Sequence, residues 1–409
     1  MRRDSRSSIG RCIAAASALA LALHLPASGG EASFTVDRNI PAGNIELEKI
    51  DGNTVYVHQE LRDTEGSWFY WAFRVKGAGG RTVEFRFTRT VAVGTRGPCV
   101  SLDRGRTWNY SAEQGATRKS FVYAFPADAE EVWFCQTIPY LQSDWDAFLA
   151  RHEADRGKAF ETGVLCRSRK GRDVERAVFG DLSGSPKHRI FLSARRHCGE
   201  TMASYVLEGV LEGVLAEDET GAWFRRSVEV MVVPFMDKDG CEDGDQGKNR
   251  RPHDHNRDYA DFIYPESRGI RDWIAQRAGN RLDIFFDFHC PWLYGDFNEF
   301  AYQVHEKDTA EKTSRFGRML EALQSGSMAY REKDDIRWGV GWNTERNYAA
   351  GLRPVKAWAL ETLKCGFVGS FEIPFATANG KVVTRESCRE FGRDIARAFR
   401  KWMEADGRD

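Results

Sequence analysis

His197 and Glu200, three residues apart in Arg195-Arg196-His197-Cys198-Gly199-Glu200-Thr201, can do chemistry together with His289, which lies in Asp287-Phe288-His289-Cys290-Pro291-Trp292. Two imidazoles and a carboxylate hold a borderline-soft ion such as zinc and leave its fourth position for water or a substrate oxygen, which is a catalytic pattern. A separation of three places His197 and Glu200 on one side of a helical turn, or of the loop entering it. His289 follows the apolar run Leu282-Asp283-Ile284-Phe285-Phe286-Asp287-Phe288, which reads as a buried strand and brings the third ligand from a rigid element. Asp287, two residues earlier, is either a carboxylate that orients a site group or a solubilising charge at a strand end. Alone, His-x-x-Glu is a frequent accident in a chain with nine histidines.

The downstream sequence changes its weight. Phe235-Met236-Asp237-Lys238-Asp239-Gly240, Gly247-Lys248-Asn249-Arg250, Asp254-His255-Asn256-Arg257-Asp258-Tyr259 and Ser370-Phe371-Glu372-Ile373 follow in that order. From about Ser33 to the C-terminus the chain resembles the zinc carboxypeptidases, and within them the branch that includes the cytosolic carboxypeptidases and their bacterial relatives. The resemblance implies one Zn(2+) per chain on His197, Glu200 and His289. It implies that Glu372 takes a proton from the attacking water and delivers it to the leaving amine. Asn256 and Arg257 match the pair that binds the substrate carboxylate, a task suited to the planar guanidinium fork. Arg250 is expected to face the carbonyl oxygen as negative charge develops there, with the adjacent Arg251 as the alternative. Tyr348, 24 residues before Glu372, is the candidate for the family's mobile tyrosine over the substrate, and Tyr330 a poorer one. Cys198 and Cys290 stand where the branch commonly has proline and glycine, which removes no ligand.

The activity so implied is zinc-dependent hydrolysis of C-terminal residues from peptides by metal-activated water, on substrates with a free C-terminal carboxylate. Two other readings remain: a peptide- or glycan-binding protein that has lost turnover, and a zinc amidohydrolase acting on N-acyl amino acids.

Composition sets outer bounds. At 409 residues two domains are expected, and 59 basic against 60 acidic residues give no global field toward nucleic acid. Arg2, Arg3 and Arg6 precede the apolar run from Ile13 to Leu23, and Pro26 to Ala32 is small and polar, which is the pattern of a secretory signal over residues 1–32. Export to the periplasm or exterior follows as an expectation, with no membrane span once the signal is removed. Eight cysteines then remain, an even number that permits disulfides without specifying their pairing. Cys198 and Cys290, each adjacent to a ligand histidine, are expected to lie close enough to be chemically coupled.

Residues 33–150 read as an N-terminal β-sandwich domain. Thr54 to His58, Trp68 to Val75, Thr82 to Phe87, Ser120 to Phe125 and Glu131 to Phe134 are β-branched or aromatic runs separated by turn text such as Gly77-Ala78-Gly79-Gly80. Trp68, Trp71, Trp108 and Trp133 are read as core or interface packing rather than a sugar platform. Residues 151–409 alternate instead, with strands at 189–193, 227–233, 282–288 and 367–373. Helices are expected at 201–215, 268–278, 311–323, 355–363 and 389–402. Such alternation requires an α/β domain with a mixed central sheet and helices on both faces. His197, His289 and Glu372 fall at or beyond strand C-termini, where open sheets bind ligands. The acidic stretch from Asp237 to Asp258 lacks EF-hand spacing and reads as a solvent-exposed rim of the site.

Overall fold

The computed structural model describes residues 34–111, 116–348 and 352–405, with the side chains of Asn347 and Tyr348 left out; the signal-like segment 1–32 lies outside these residues. Nine strands come first: β1 (Thr35–Asp37), β2 (Glu46–Asp51), β3 (Thr54–His58), β4 (Ala72–Lys76), β5 (Thr82–Phe87), β6 (Cys99–Ser101), β7 (Asn109–Tyr110), β8 (Ser120–Ala124) and β9 (Glu131–Cys135). They form a five-stranded sheet in the order β1-β4-β9-β6-β7 and a four-stranded sheet in the order β2-β3-β5-β8. Alternation drives this pairing: Val83, Phe85 and Phe87 of β5 are buried while Thr82 and Arg86 are exposed. Inward aromatics from both sheets meet, with Phe85 4.9 Å from Phe121 and 5.3 Å from Phe134 between ring centroids. The run Trp68 to Trp71, expected as strand, is buried irregular chain that leads into β4.

Helix α1 (Gln142–Arg151) follows, and the rest is built on one seven-stranded sheet. Its strands are β10 (Phe160–Arg167), β11 (Asp173–Gly180), β12 (His188–Ala194), β13 (Val228–Val233), β14 (Arg281–His289), β15 (Tyr302–Gln303) and β16 (Lys364–Glu372), in the order β10-β11-β13-β12-β14-β16-β15. The four central strands are parallel and the flanking ones antiparallel. The helices are α2 (Met202–Leu215), α3 (Glu219–Ser227), α4 (Lys238–Asp243), α5 (Pro265–Ala278), α6 (Ala310–Leu323), α7 (Val355–Thr362) and α8 (Arg385–Ala405).

Period-two alternation within continuous apolar strands explains why both faces carry helices. Ile190 and Leu192 of β12, with Ile284, Phe286 and Phe288 of β14, join one core with α2, α6 and α8. The intervening Phe191 and Phe285 enter another with Ile270, Trp273 and Ile274 of α5 and Trp358 of α7. Helix α8 meets its core with Cys388, Phe391, Ile395, Phe399 and Trp402, the spacing of a single helical stripe. The first of these cores also runs through the aromatic interior of the two N-terminal sheets, and Ala32–Asp409 is one compact unit. Among the described residues no helix is long and apolar enough to cross a membrane.

The acidic stretch from Asp237 to Asp258 is not an exposed rim. It holds α4, and Asp237, Asp245, Asp254 and Asp258 are all buried. Each has a partner: Asp237 accepts from the Gly240 amide and from Arg250, Asp245 from Arg250, Asp254 from the Asn249 amide, and Asp258 from the Ile263 and Tyr264 amides. Buried carboxylates need such partners, and their donors are too scattered along the chain for composition to reveal them.

Candidate active site

Strand register brings the site together. β14 and β16 pair so that His289 stands opposite Glu372, the last residue of each strand, and the preceding row aligns Phe288 with both Ala194 of β12 and Phe371. A slip of one residue would turn both groups to the other face. His197 comes three residues beyond the end of β12, in the loop that enters α2. Arg195 in that loop has φ 64°, a conformation costly for a non-glycine residue. Its own guanidinium holds the loop there, donating to the Cys198 carbonyl at 2.7 Å and the Tyr140 carbonyl at 2.9 Å. Gly247, at φ 78°, packs so closely that a Cβ would lie 2.4 Å from the Cys198 amide, so only glycine lets the second loop approach.

Three buried donors converge. Nδ1 of His197 is 2.8 Å from Oε1 of Glu200, Nδ1 of His289 is 2.8 Å from its Oε2, and the two imidazole centroids are 5.0 Å apart. The opposite edges face carboxylates: His289 Nε2 meets Asp287 at 2.8 Å, and His197 Nε2 lies 3.7 Å from Asp254. This leaves both Nδ1 atoms and the Glu200 carboxylate to a shared cation, and their chemistry fits zinc, with outer carboxylates fixing each ring. Burial pulls the His289 imidazole down, but Asp287 and Glu200 outweigh it and raise it to about 10. Burial likewise raises Glu200, yet the two histidines win and hold it below the usual carboxylate range. Asp287 is a positioning group rather than a solubilising charge: it is fully buried, and it accepts from Ser193 at 2.6 Å and Arg196 at 2.7 Å as well as meeting His289.

Glu372 is buried, its Oε2 has no partner among the described residues, and burial raises its pKa against the opposing pull of His289. One small cavity of about 50 Å³ joins it to His289, Asn256 and Arg257. Among the described residues the Asn256 and Arg257 side chains make no hydrogen bond or ion pair, although the Arg257 charge acts on Asp254, so their donors remain for a ligand. The same wall carries Lys356, which donates to the Val304 carbonyl at 2.6 Å and lies 3.0 Å from Glu306. Nothing in the sequence pointed to this pair, because a lysine on a helix and a distant glutamate become neighbours only through packing.

Not every residue singled out in the sequence lines this cavity. Arg250 does not face this cavity: it contacts Asp63 at 2.7 Å, Asp237 at 2.7 Å and Asp245 at 2.9 Å, and it lines a separate cavity of about 240 Å³. Three carboxylates neutralise its charge, so it braces the loop. Arg251 is no substitute, being exposed and paired with Glu65. The loop cation whose charge does act on Glu372 is Lys248, which rests 5.3 Å from the Trp68 ring. Tyr330 is buried, with its hydroxyl donating to Asp335 at 2.9 Å, and belongs to the core. Tyr348 ends a short 3-10 turn (Glu345–Tyr348), and its side chain lies outside the described residues. Cys198 and Cys290 have different neighbours: Cys198 donates to the Asp245 carbonyl at 3.0 Å, whereas Cys290 sits by the Ala203 amide and Cys388. All eight described cysteines are free. A second group that could hold a metal, His305, Glu332 and Asp335, already has Arg337 against it, 2.8 Å from His305 and 2.6 Å from Glu332.

The brace around Arg250 has a pH signature. Burial raises the Asp237 carboxyl, but Arg250 and His255 outweigh it and hold its pKa below the ordinary value. A carboxyl depressed in the folded state contributes stability above its unfolded pKa of ~3.9, lost as pH falls through the lower folded value. Urea unfolding measured from about pH 6 downward should show a shallower acid loss for Asp237→Asn than for the parent protein. Equal slopes would remove Asp237 from the acid response.

Residues 146–263 match the zinc carboxypeptidase family model, a span that contains His197, Glu200, Asn256 and Arg257. The chain carries a zinc carboxypeptidase domain. His289 and Glu372 lie beyond the matched span and enter the site through β14 and β16. The chain is 23% identical over 314 residues to cytosolic carboxypeptidase 6 of Caenorhabditis elegans, covering 68% of each chain. It is 21% identical over 301 residues to the human cytosolic carboxypeptidase 6, covering 68% of this chain and 57% of that one. Its fold is that of a metallo-carboxypeptidase from Burkholderia cenocepacia, at TM-score 0.74 and 18% identity, with 92% of this chain and 100% of that one covered. A metallo-carboxypeptidase from Pseudomonas aeruginosa in complex with (2-guanidinoethylmercapto)succinic acid aligns at TM-score 0.71 and 17% identity, with 92% and 100% covered. The N-terminal sheets lie within the region these structures share.

Proposed function

We propose that the protein removes single residues from the free C-terminus of peptides, using one zinc ion per chain. The observation that carries this reading is the cavity in which Arg257 and Asn256 share a wall with His289 and Glu372. A site that only held metal would have no use for a guanidinium beside it whose donors are left without hydrogen bonds. His197, Glu200 and His289 would hold the zinc, which when bound supplies Lewis acidity toward the scissile carbonyl and lowers the pKa of water.

The remaining work falls to the chain's own side chains. Arg257 and Asn256 bind the terminal carboxylate and fix which peptide bond is presented, so one residue is released at a time. Glu372 accepts the proton of the attacking water at its carboxylate and returns it to the departing amine. Its raised pKa suits both halves of that transfer, since a carboxyl nearer neutrality is a better base when ionised and remains a competent acid when protonated. Asp287 and Arg196 hold the His289 ring in place while this occurs.

Arg257→Ala should lower kcat/KM for free-acid peptides by about 10²-fold, mostly through KM, because the substrate carboxylate then lacks its buried partner. The parent protein should turn over C-terminally amidated peptides far more slowly than the matching free acids. Equal rates on both would overturn the exopeptidase reading. Mass-spectrometric profiling of a peptide library checks both points and reports the terminal residue preferred.

A further inference from the structure

A cavity of about 480 Å³, within the range of small-molecule sites, opens between the five-stranded N-terminal sheet, α1 and the start of α8. Two of the tryptophans noted in the sequence line it. Trp133 lies on β9 and Trp108 immediately before β7, and both are half-buried. The turn beneath them is shaped to fit: Gly105, at φ 83°, packs so that a Cβ would lie 2.9 Å from the Trp133 ring, and its carbonyl accepts the Trp108 indole N–H at 3.0 Å. Trp71 and Trp68, by contrast, belong to the core, and there the packing expectation holds.

Around these rings the charge is one-sided. Five arginines line the cavity, namely Arg104, Arg106, Arg151, Arg385 and Arg389, against a single carboxylate, Asp144. Arg104 pairs with Glu131 at 2.9 Å and Arg389 with Glu208 at 2.8 Å, while Arg151 stands 3.7 Å from Glu208. Among the described residues neither Arg106 nor Arg385 has an ion-pair partner. Arg385 donates to the Arg106 carbonyl at 3.4 Å, lies 5.5 Å from the Tyr205 ring and acts through its charge on Asp144, and its Nε is buried without a hydrogen-bond partner. The Trp133 indole nitrogen is buried without a partner too. Core packing would account for the rings but not for five guanidinium groups gathered around one carboxylate, nor for two unsatisfied buried donors in the same lining. The groups left over are donors and positive charge, which suits a ligand that accepts hydrogen bonds and carries negative charge.

We propose that this cavity binds an acidic saccharide of one or two rings, a pyranose bearing a carboxylate. Indole rings offer flat apolar area to the C–H face of a sugar, and guanidinium groups give paired donors to its carboxylate and hydroxyls. The site is separate from the zinc site and uses none of its residues.

Isothermal titration calorimetry and tryptophan fluorescence on the full chain test this, with glucuronic acid and N-acetylmuramic acid as probes, glucose as the neutral control and AMP as an aromatic phosphate. Saturable binding of at least one carboxylated sugar is expected, with glucose about tenfold weaker or more, since the lost contact is a charge-assisted one. Arg106→Gln, on an exposed turn, should weaken that binding by about tenfold while leaving peptide hydrolysis and urea unfolding unchanged. Arg385→Gln should do the same to binding. A preference between the two acids would distinguish a uronate glycan from a muramyl one. Absence of binding by either acid, equal binding of glucose, tighter binding of AMP than of both acids, or an unaltered affinity in folded Arg106→Gln would each overturn the proposal.

Discussion

Glu372→Gln should abolish most peptide hydrolysis, with kcat down by ~10²–10⁴-fold, while zinc content and the circular dichroism spectrum stay those of the parent. The substitution keeps the shape of a buried side chain and removes only its capacity to accept and release a proton. Glu372 lies opposite His289 in the sheet register, buried and with one carboxylate oxygen uncommitted, which places it to take that proton. Single-turnover kinetics on a chromogenic peptide, followed from about pH 5 to about pH 9, give the cleanest reading. The parent should lose rate toward acid through a group titrating above the ordinary carboxylate range, because protonated Glu372 cannot serve as the base. Near-parental turnover in the folded variant would transfer the proton to another residue and undo the assignment.

His289→Ala should lose the metal itself. Removing one of three protein ligands is a larger change than removing an outer partner, which already costs ~10–100-fold in affinity. Purified parent protein should carry close to one zinc per chain by elemental analysis, and the variant should retain little after dialysis against a weak chelator. Thermal unfolding provides a readout independent of activity. Zinc that binds only the folded chain stabilises it by mass action, so chelation should lower the parent's Tm and leave that of His289→Ala unmoved. The variant also frees Asp287 and Glu200 from their imidazole, leaving two buried carboxylates with fewer partners, and its starting Tm should fall accordingly. A variant that holds zinc as the parent does would place the third ligand elsewhere, and Asp254, 3.7 Å from His197, would become the residue to test.

Much of this could be read along the chain, and the reason is local. The helical spacing of His197 and Glu200, the apolar run ending in His289 and the strand ending at Glu372 are all encoded within a few neighbouring residues, so period and order sufficed to place them. The central strands and their helices were legible on the same grounds, as the run from Arg281 to His289 shows by sending Ile284 and Phe285 into opposite cores. The β10–β11 hairpin escaped notice because its outer strand is largely exposed, from Glu161 to Val164, and lacks the alternation that marks a half-buried strand. Short edge strands such as β7 and β15 carry too few residues for any period to register.

What only the tertiary structure decided concerns partners that are distant in sequence. Arg250 looked like a catalytic cation while its only visible neighbours were Asn249 and Arg251; folding brings Asp63 from the N-terminal segment and Asp237 and Asp245 from the preceding loop onto the same guanidinium. Asp287 was ambiguous until Ser193, Arg196 and His289 closed around it. Trp71 and Trp133 read alike as strand aromatics, yet one fills a core and the other borders an arginine-lined cavity. Periodicity is a property of the backbone and is written continuously along the chain. The charge state and purpose of a polar side chain depend instead on which groups share its few cubic ångströms, and that is set only when distant segments pack.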